Sequence, residues 1–207
     1  MKNASKRADD LKALARRLVK DIKPEVPAVQ DPLKALVRGA MSFDVPDSRA
    51  DEAVRLLDRE FVDLNELRVA TDLEIQELLG QRYPAIERRV AMITQSLNRI
   101  FEKEHTLSLD RLKTLGKREA RQFLRELPDI HPFVEGYVML FAFEGHAFPM
   151  DAETVAFFHG HGIIDEGSPL DEAQKFIEHH IKVEECADFF VALRRHMSDE
   201  AKAKRKK

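Results

Sequence analysis

Residues 127–151, LPDIHPFVEGYVMLFAFEGHAFPMD, decide the fold. Pro132 is favoured in the first turn of a helix, and the apolar run after it predicts a helix that ends near Phe143. Asp151 precedes another helical segment, where a short carboxylate side chain is a preferred N-cap. With the helical pattern over residues 117–127, the stretch predicts a helix, a tight turn, a second helix and a carboxylate at the start of a third.

Apolar residues recur at helical spacing along nearly the whole chain. Thr71 and Glu74 are typical of a capping box, and Gly80 predicts the end of the helix they begin. A segment that begins at Pro84 should be the longest helix. Its apolar stripe consists of Ile86, Val90, Ile93, Leu97 and Ile100. With roughly eleven helices, short links and no internal repeat, we expect an all-α fold.

The composition fits a globular protein large enough to bury a core. Of the 207 residues, 43% are hydrophobic and 34% are charged. A single cysteine, Cys186, excludes an internal disulfide and a four-cysteine iron–sulfur or zinc site, and we expect it in the core. The polar N-terminus and the lack of an apolar run of about 18 residues predict a cytoplasmic protein without a membrane span.

Charge is distributed unevenly. The net charge is −3, yet the last six residues, KAKRKK, carry five positive charges, so removing them leaves the first 201 residues at −8. An acidic body is a poor generic binder of DNA, whose affinity for proteins depends largely on neutralised phosphates. The basic tail is either a non-specific electrostatic anchor or a solvated, disordered end.

The order of these features resembles the endonuclease III family of helix-hairpin-helix DNA glycosylases. Residues 127–130 match the hydrophobic frame of the family's hairpin, and residues 148–151 match the segment that leads to its catalytic aspartate. The interval from Phe133 to Asp151, 18 residues, equals that between the family's lysine position and its aspartate. The similarity is colinear from Leu11 to Met197.

The resemblance implies a two-lobed, all-α glycosylase-like fold with a cleft between the lobes. Residues 31–150 would form the lobe that carries the helix-hairpin-helix. Residues 1–30 and 151–201 would form the second lobe, and residues 202–207 a disordered basic tail.

The resemblance also implies a role for Asp151. In the family, this aspartate stabilises the cationic sugar that develops as the glycosidic bond breaks, or activates water. Asp151 could equally be a plain N-cap, and the two roles are not exclusive. Phe133 stands where bifunctional members carry the lysine nucleophile, and because phenylalanine has no lone pair, β-lyase chemistry at this position is excluded. Hydrolysis of the glycosidic bond by water stays open.

The residues expected at the DNA interface depart from the family pattern. Two hairpin glycines that let the backbone approach a phosphate are replaced by Asp129 and His131. We therefore expect the hairpin to serve mainly as a helix connector, with Asp129 a candidate cap for the next helix. The candidate DNA contacts are Lys117, Arg118, Arg121, Ile130 and His131. The alternative for the basic residues is a solvated helix face.

The loop that inserts into DNA in the family corresponds to residues 42–47. Phe43 could act as a wedge, but Asp44 and Asp47 would repel phosphates, so we expect Phe43 in the core and Asp47 as a cap. Adjacent histidines such as His179 and His180 should point apart, and no pair has the spacing of a helical metal site. We expect no metal and no cofactor.

These features favour a divergent endonuclease III-like protein of base-excision-repair type, with duplex DNA as its partner. Any catalysis would be that of a monofunctional glycosylase without lyase activity. The alternative is a catalytically inactive descendant that acts as a binding or interaction module. A third possibility is an unrelated helical scaffold with similar spacing.

Overall fold

The structure, a computed structural model, describes residues 4–205, and this part of the chain forms twelve helices without a β-strand. The helices are α1 (Ala4–Ile22), α2 (Pro32–Ser42), α3 (Asp47–Glu60), α4 (Leu64–Val69), α5 (Asp72–Leu79), α6 (Ile86–Glu104), α7 (Asp110–Thr114), α8 (Lys117–Arg125), α9 (Pro132–Phe141), α10 (Ala152–Gly160), α11 (Leu170–His180) and α12 (Val183–Arg205). The all-α prediction is confirmed.

The two most buried helices, α2 and α9, pack against each other at the centre of the core. Every residue of α9 after Pro132 is buried. Gly39 lets the two helices approach closely, because a Cβ atom there would lie 3.3 Å from the Cβ of Tyr137. Around this pair, α2 also packs on α3 and α6, and α8 packs on α9.

The N-terminal helix packs against the C-terminal part of the chain. α1 contacts α11 and α12, whereas α4 and α5 pack on α6. This pairing places the first and last helices side by side, as the expected second lobe requires. The lobe boundaries themselves stay a prediction.

Local capping signals account for several helix ends. The capping box of Thr71 and Glu74 forms, and Gly80 ends α5 with a φ of +83°, so both predictions are confirmed. The long helix α6 begins at Ile86 and not at Pro84, because Ala85 before it adopts a left-handed conformation with φ +49°.

The longest helix is α12, with 23 residues, and not α6, with 19. It includes residues 202–205, which we expected to be disordered. Alanine, lysine and arginine are strong helix formers, and they continue the helix past Met197. Residues 206–207 of the basic tail lie outside the described part. No helix within residues 4–205 combines the length and apolarity needed to cross a bilayer.

Candidate functional site

The candidate site lies where three connecting segments meet, residues 42–47, 127–131 and 149–151. The rings of Phe43 and His131 stack with their centroids 4.2 Å apart and their planes 3° from parallel. The backbone N–H of Asp44 donates to Oδ2 of Asp151 at 3.0 Å. Residues far apart in the sequence are therefore held together around Asp151.

Asp151 is fully buried, with 0% of its surface exposed. Its Oδ1 accepts hydrogen bonds from the backbone N–H of Thr154 at 2.8 Å and from the Thr154 hydroxyl at 2.5 Å. Asp151 is thus the N-cap of α10, as predicted. Its Oδ2 accepts from Asp44 and, at 2.9 Å, from the guanidinium of Arg194. Both carboxylate oxygens are engaged within the protein.

Arg194 on α12 is the cation that neutralises Asp151. Its side chain is 4% exposed, and it also pairs with Asp47 at 3.1 Å. The same guanidinium donates to the carbonyl oxygens of Ser42 at 3.1 Å and Val45 at 2.5 Å. Burial opposes the charge on Arg194, but Asp47 and Asp151 outweigh it, and its pKa is raised above the ordinary value. Arg194 therefore fastens residues 42–47 to the start of α10.

Asp47 and Asp44 have different roles from those expected. Asp47 is the first residue of α3 and makes no side-chain cap there, because its carboxylate faces Arg194. Asp44 instead acts as a second cap for α10, since its Oδ1 accepts from the backbone N–H of Ala152 at 2.9 Å. The Asp44 carboxylate, which we expected to repel phosphates, is instead bound to a helix N-terminus, where it interacts favourably with the helix dipole.

Phe133, at the position of the family's lyase lysine, is a core residue. It is fully buried, and its ring lies 6.0 Å from that of Phe190 and 6.1 Å from that of Tyr137. The guanidinium carbon of Arg194 lies 5.8 Å from its ring centroid. Aromatic packing thus fills the space on this side of the Arg194–Asp151 pair.

The hairpin keeps its turn without glycine. Asp129 adopts φ +47°, a left-handed conformation that aspartate tolerates better than most residues. Contrary to the prediction, Asp129 does not cap α9. His131 does, because its Nδ1 accepts from the backbone N–H of Phe133 at 3.1 Å. Burial, followed by the nearby Arg88, lowers the pKa of His131, which favours the neutral ring that this cap requires. Ile130 is half-buried against the core.

A second buried arginine, Arg89, binds backbone carbonyl oxygens in and near the loop of residues 42–47. It is 1% exposed and donates to the carbonyl oxygens of Ala40 at 2.6 Å, Phe43 at 2.5 Å and Pro84 at 2.7 Å. Its guanidinium carbon lies 3.7 Å from the ring centroid of Phe43. Phe43 is therefore in the core, as expected. Burial lowers the pKa of Arg89 to about 10.

Neither buried arginine was predicted from the sequence, although each leaves a recognisable signal there. Arg89 follows Ile86 by three residues on the apolar stripe of α6, and Arg194 follows Phe190 by four residues on the buried face of α12. A basic residue at helical spacing within an apolar stripe predicts that its charge has a partner inside the protein.

The basic residues of α8 are mostly occupied inside the protein. Lys117 donates to the carbonyl oxygen of Phe143. Arg121 pairs with Glu135, a carboxylate only 3% exposed. Arg118 is exposed and, among residues 4–205, makes no ion pair. Of the basic residues expected to touch DNA, Arg118 is the one that faces solvent without an internal partner in the described part of the chain.

Most of the histidines are exposed, whereas the cysteine lies in the core. In the described part of the chain, no three His, Cys, Asp or Glu side chains are placed to hold a metal ion. The rings of His179 and His180 meet edge to face with their centroids 4.7 Å apart. The prediction that these side chains point apart is therefore wrong. Cys186 is fully buried, which confirms its core position, and burial raises its pKa to about 12.

No protein-family model matches this chain, and no curated protein sequence does. Solved structures do match its fold. A Clostridium acetobutylicum 8-oxoguanine glycosylase/lyase in complex with DNA superimposes with a TM-score of 0.70 and 17% identity over 94% of this chain and 71% of that chain. A trapped endonuclease III–DNA covalent intermediate superimposes with a TM-score of 0.70 and 13% identity, over 92% of this chain and 84% of that chain. A thermostable thymine-DNA glycosylase superimposes with a TM-score of 0.66 and 14% identity, over 94% of this chain and 87% of that chain.

At these identities the likeness establishes the fold. The chain has the all-α fold of the helix-hairpin-helix DNA glycosylases, as the resemblance implied. The unrelated helical scaffold is therefore excluded as a description of the fold.

Proposed function

We propose that this protein binds duplex DNA as an endonuclease III-like protein of the base-excision-repair type, and that it excises no base while Arg194 holds Asp151. Its fold supports the first part, because the similar structures include proteins solved in complex with DNA. The buried Arg194–Asp151 pair carries the second part.

Glycosylase chemistry needs a carboxylate that reaches the sugar. Electrostatic stabilisation acts on charge that develops within contact distance of the stabilising group. Asp151 has no exposed surface, and a charge-assisted hydrogen bond already neutralises it. Because Phe133 offers no nucleophile, any excision would be monofunctional hydrolysis after displacement of Arg194 from Asp151.

We place the DNA contacts on two exposed arginines. Arg118 precedes the hairpin on α8, and Arg88 on α6 lies close enough to lower the pKa of His131. Asp129 is exposed on the same hairpin and opposes them. With few phosphate contacts and an opposing carboxylate, we expect weak binding that is sensitive to salt.

A second candidate function is that of a catalytically inactive interaction module. The closed arrangement around Asp151 supports it, because the residues that would act on a base instead connect three segments of the fold. The two candidate functions predict different affinities for DNA, because a DNA-binding protein should bind a duplex at low salt and an interaction module should not.

The binding proposal can be tested by fluorescence anisotropy with a labelled duplex at several salt concentrations. We expect micromolar affinity at low salt that falls as salt is added. Arg88→Gln with Arg118→Gln should weaken binding at least several-fold, whereas Lys175→Gln, on an exposed lysine already paired with Asp171, should not. A full chain that fails to bind duplex DNA at low salt would favour the interaction module.

The catalytic part can be tested with duplexes that contain uracil, oxidised or mismatched bases. The wild-type protein should give no strand breaks above background, with or without alkali. Breaks without alkali would contradict the exclusion of lyase chemistry. Alkali-dependent breaks that disappear in Asp151→Asn would show that Asp151 is catalytic and that the closed state is not maintained on DNA.

A further inference from the structure

A groove with a volume of about 770 Å³ lies between α1 and the junction of α11 and α12. Its floor is apolar: Val19 is half-exposed there, and the buried Ala15, Ile181 and Phe189 lie beneath it. The groove includes no residue of the three segments around Asp151. Its volume falls within the range of small-molecule sites, about 300–1,000 Å³.

The walls of the groove are basic. Lys12, Arg16 and Lys20 follow one another at intervals of four residues, so they share a face of α1 and span about 12 Å. Lys182 stands on the opposite wall, at the residue before α12. The nearby aromatic pair of His179 and His180 completes that wall. Two carboxylates, Glu185 and Asp188, also line the groove.

These cations have no internal partner in the described part of the chain. Among residues 4–205, Lys12, Arg16, Lys20 and Lys182 form no ion pair and donate no side-chain hydrogen bond, whereas Arg7 on the same helix pairs with Asp165 at 2.5 Å. Like charges at intervals of four residues destabilise a helix. A cluster of unpaired cations beside an apolar floor, in a protein of net negative charge, fits an anionic ligand with an apolar part.

We propose that this groove binds a nucleoside polyphosphate. The phosphates would lie between the α1 cations and Lys182 and accept charge-assisted hydrogen bonds, which are stronger than those between neutral groups. The base would cover the half-exposed side chain of Val19. Glu185 and Asp188 would accept hydrogen bonds from hydroxyl or amino groups of the ligand, which a bare polyphosphate lacks. This site is separate from the proposed DNA interface.

Isothermal titration calorimetry on the full chain tests the proposal, with ATP, adenosine and inorganic tripolyphosphate as probes. We expect ATP to bind with a dissociation constant below 1 mM (about −4 kcal/mol), and the other two at least tenfold more weakly. Lys12→Gln with Arg16→Gln should weaken ATP binding at least tenfold. Lys6→Gln, an exposed lysine on α1 that does not line the groove, should leave it unchanged.

Several outcomes would overturn the proposal. The first is the absence of ATP binding at millimolar concentration. The second is a double variant that retains the circular dichroism spectrum of the wild type and binds ATP with the wild-type affinity. The third is an affinity of the wild type for tripolyphosphate equal to that for ATP, which would indicate charge attraction alone. Tighter binding of a single-stranded oligonucleotide than of ATP, lost in the same double variant, would assign the groove to nucleic acid. Duplex binding by the double variant, measured in parallel, separates this result from that of the proposed function.

Discussion

Arg194 connects three parts of the chain through one side chain. It is buried and binds Asp151, Asp47 and two loop carbonyl oxygens. Removing one partner of a buried ion pair leaves the other charge uncompensated, at a cost of about 3–5 kcal/mol. We expect Arg194→Met to lower the free energy of unfolding by about this amount, measured by urea denaturation.

Arg195 provides the matched control for this prediction. It is the neighbouring arginine on α12 and is exposed, so Arg195→Met should change stability by less than about 0.5 kcal/mol. A double-mutant cycle of Arg194→Met and Asp151→Asn should give a coupling energy of about 1–3 kcal/mol. Equal costs for the two arginine substitutions would mean that the ion pair does not hold the loop.

These residues also mark the limit of sequence reasoning. The capping role of Asp151 was predictable, because its partner Thr154 is three residues away. Its bonds with Arg194 and Asp44 span 43 and 107 residues, and no local pattern encodes such distances. Their long range is why the sequence left Asp151 open between a catalytic residue and a plain cap.

At the scale of elements, local patterns were sufficient for most of the fold. Amphipathic periodicity placed nearly every helix, because a helical stripe is read within one segment. Errors occurred where backbone conformation decided the boundary, as at Ala85, whose left-handed φ of +49° starts α6 after Pro84. The cap of α9 was assigned to Asp129, although His131 immediately before Pro132 supplies it.

The close contact between α9 and the segment before α10 gives the second prediction. A Cβ atom on Gly136 would lie 3.2 Å from Cα of Pro149, and this backbone leads directly to Asp151. Alanine normally stabilises a helix interior relative to glycine by about 0.5–1 kcal/mol, but overpacking a core costs about 1–3 kcal/mol. Because the neighbour is backbone, we expect Gly136→Ala to lower stability by about 1–2 kcal/mol in thermal or urea denaturation.

Gly160 on α10 is the control for the effect of the added methyl group. A Cβ atom there would have no neighbour within 4 Å, so Gly160→Ala should leave stability unchanged or raise it slightly. If Gly136→Ala were as stable as the wild type, the segment that carries Asp151 would have room to shift. The closed arrangement would then be less tightly fixed than its packing indicates.

The charge distribution of the whole molecule gives the last prediction. Five of the last six residues are basic, and the first 201 carry a net charge of −8, so the C-terminal segment should add to the attraction for DNA that Arg88 and Arg118 provide. Each phosphate contact contributes about −0.9 to the slope of log K against log salt for duplex DNA. Replacing the five basic residues after position 201 with glutamine should therefore weaken duplex binding and reduce the steepness of that slope by at most about 4.5.

Ala203→Gly is the control that distinguishes the effect of charge on DNA binding from the effect of helix formation in this segment. It keeps all five basic residues but weakens the end of α12, because glycine is a poorer helix former than alanine by about 1 kcal/mol. If attraction to phosphates dominates, this variant binds duplex DNA like the wild type at every salt concentration. A slope unchanged by the five-glutamine variant would instead assign the phosphate contacts to the folded body. Arg88 and Arg118 would then have to overcome its negative charge.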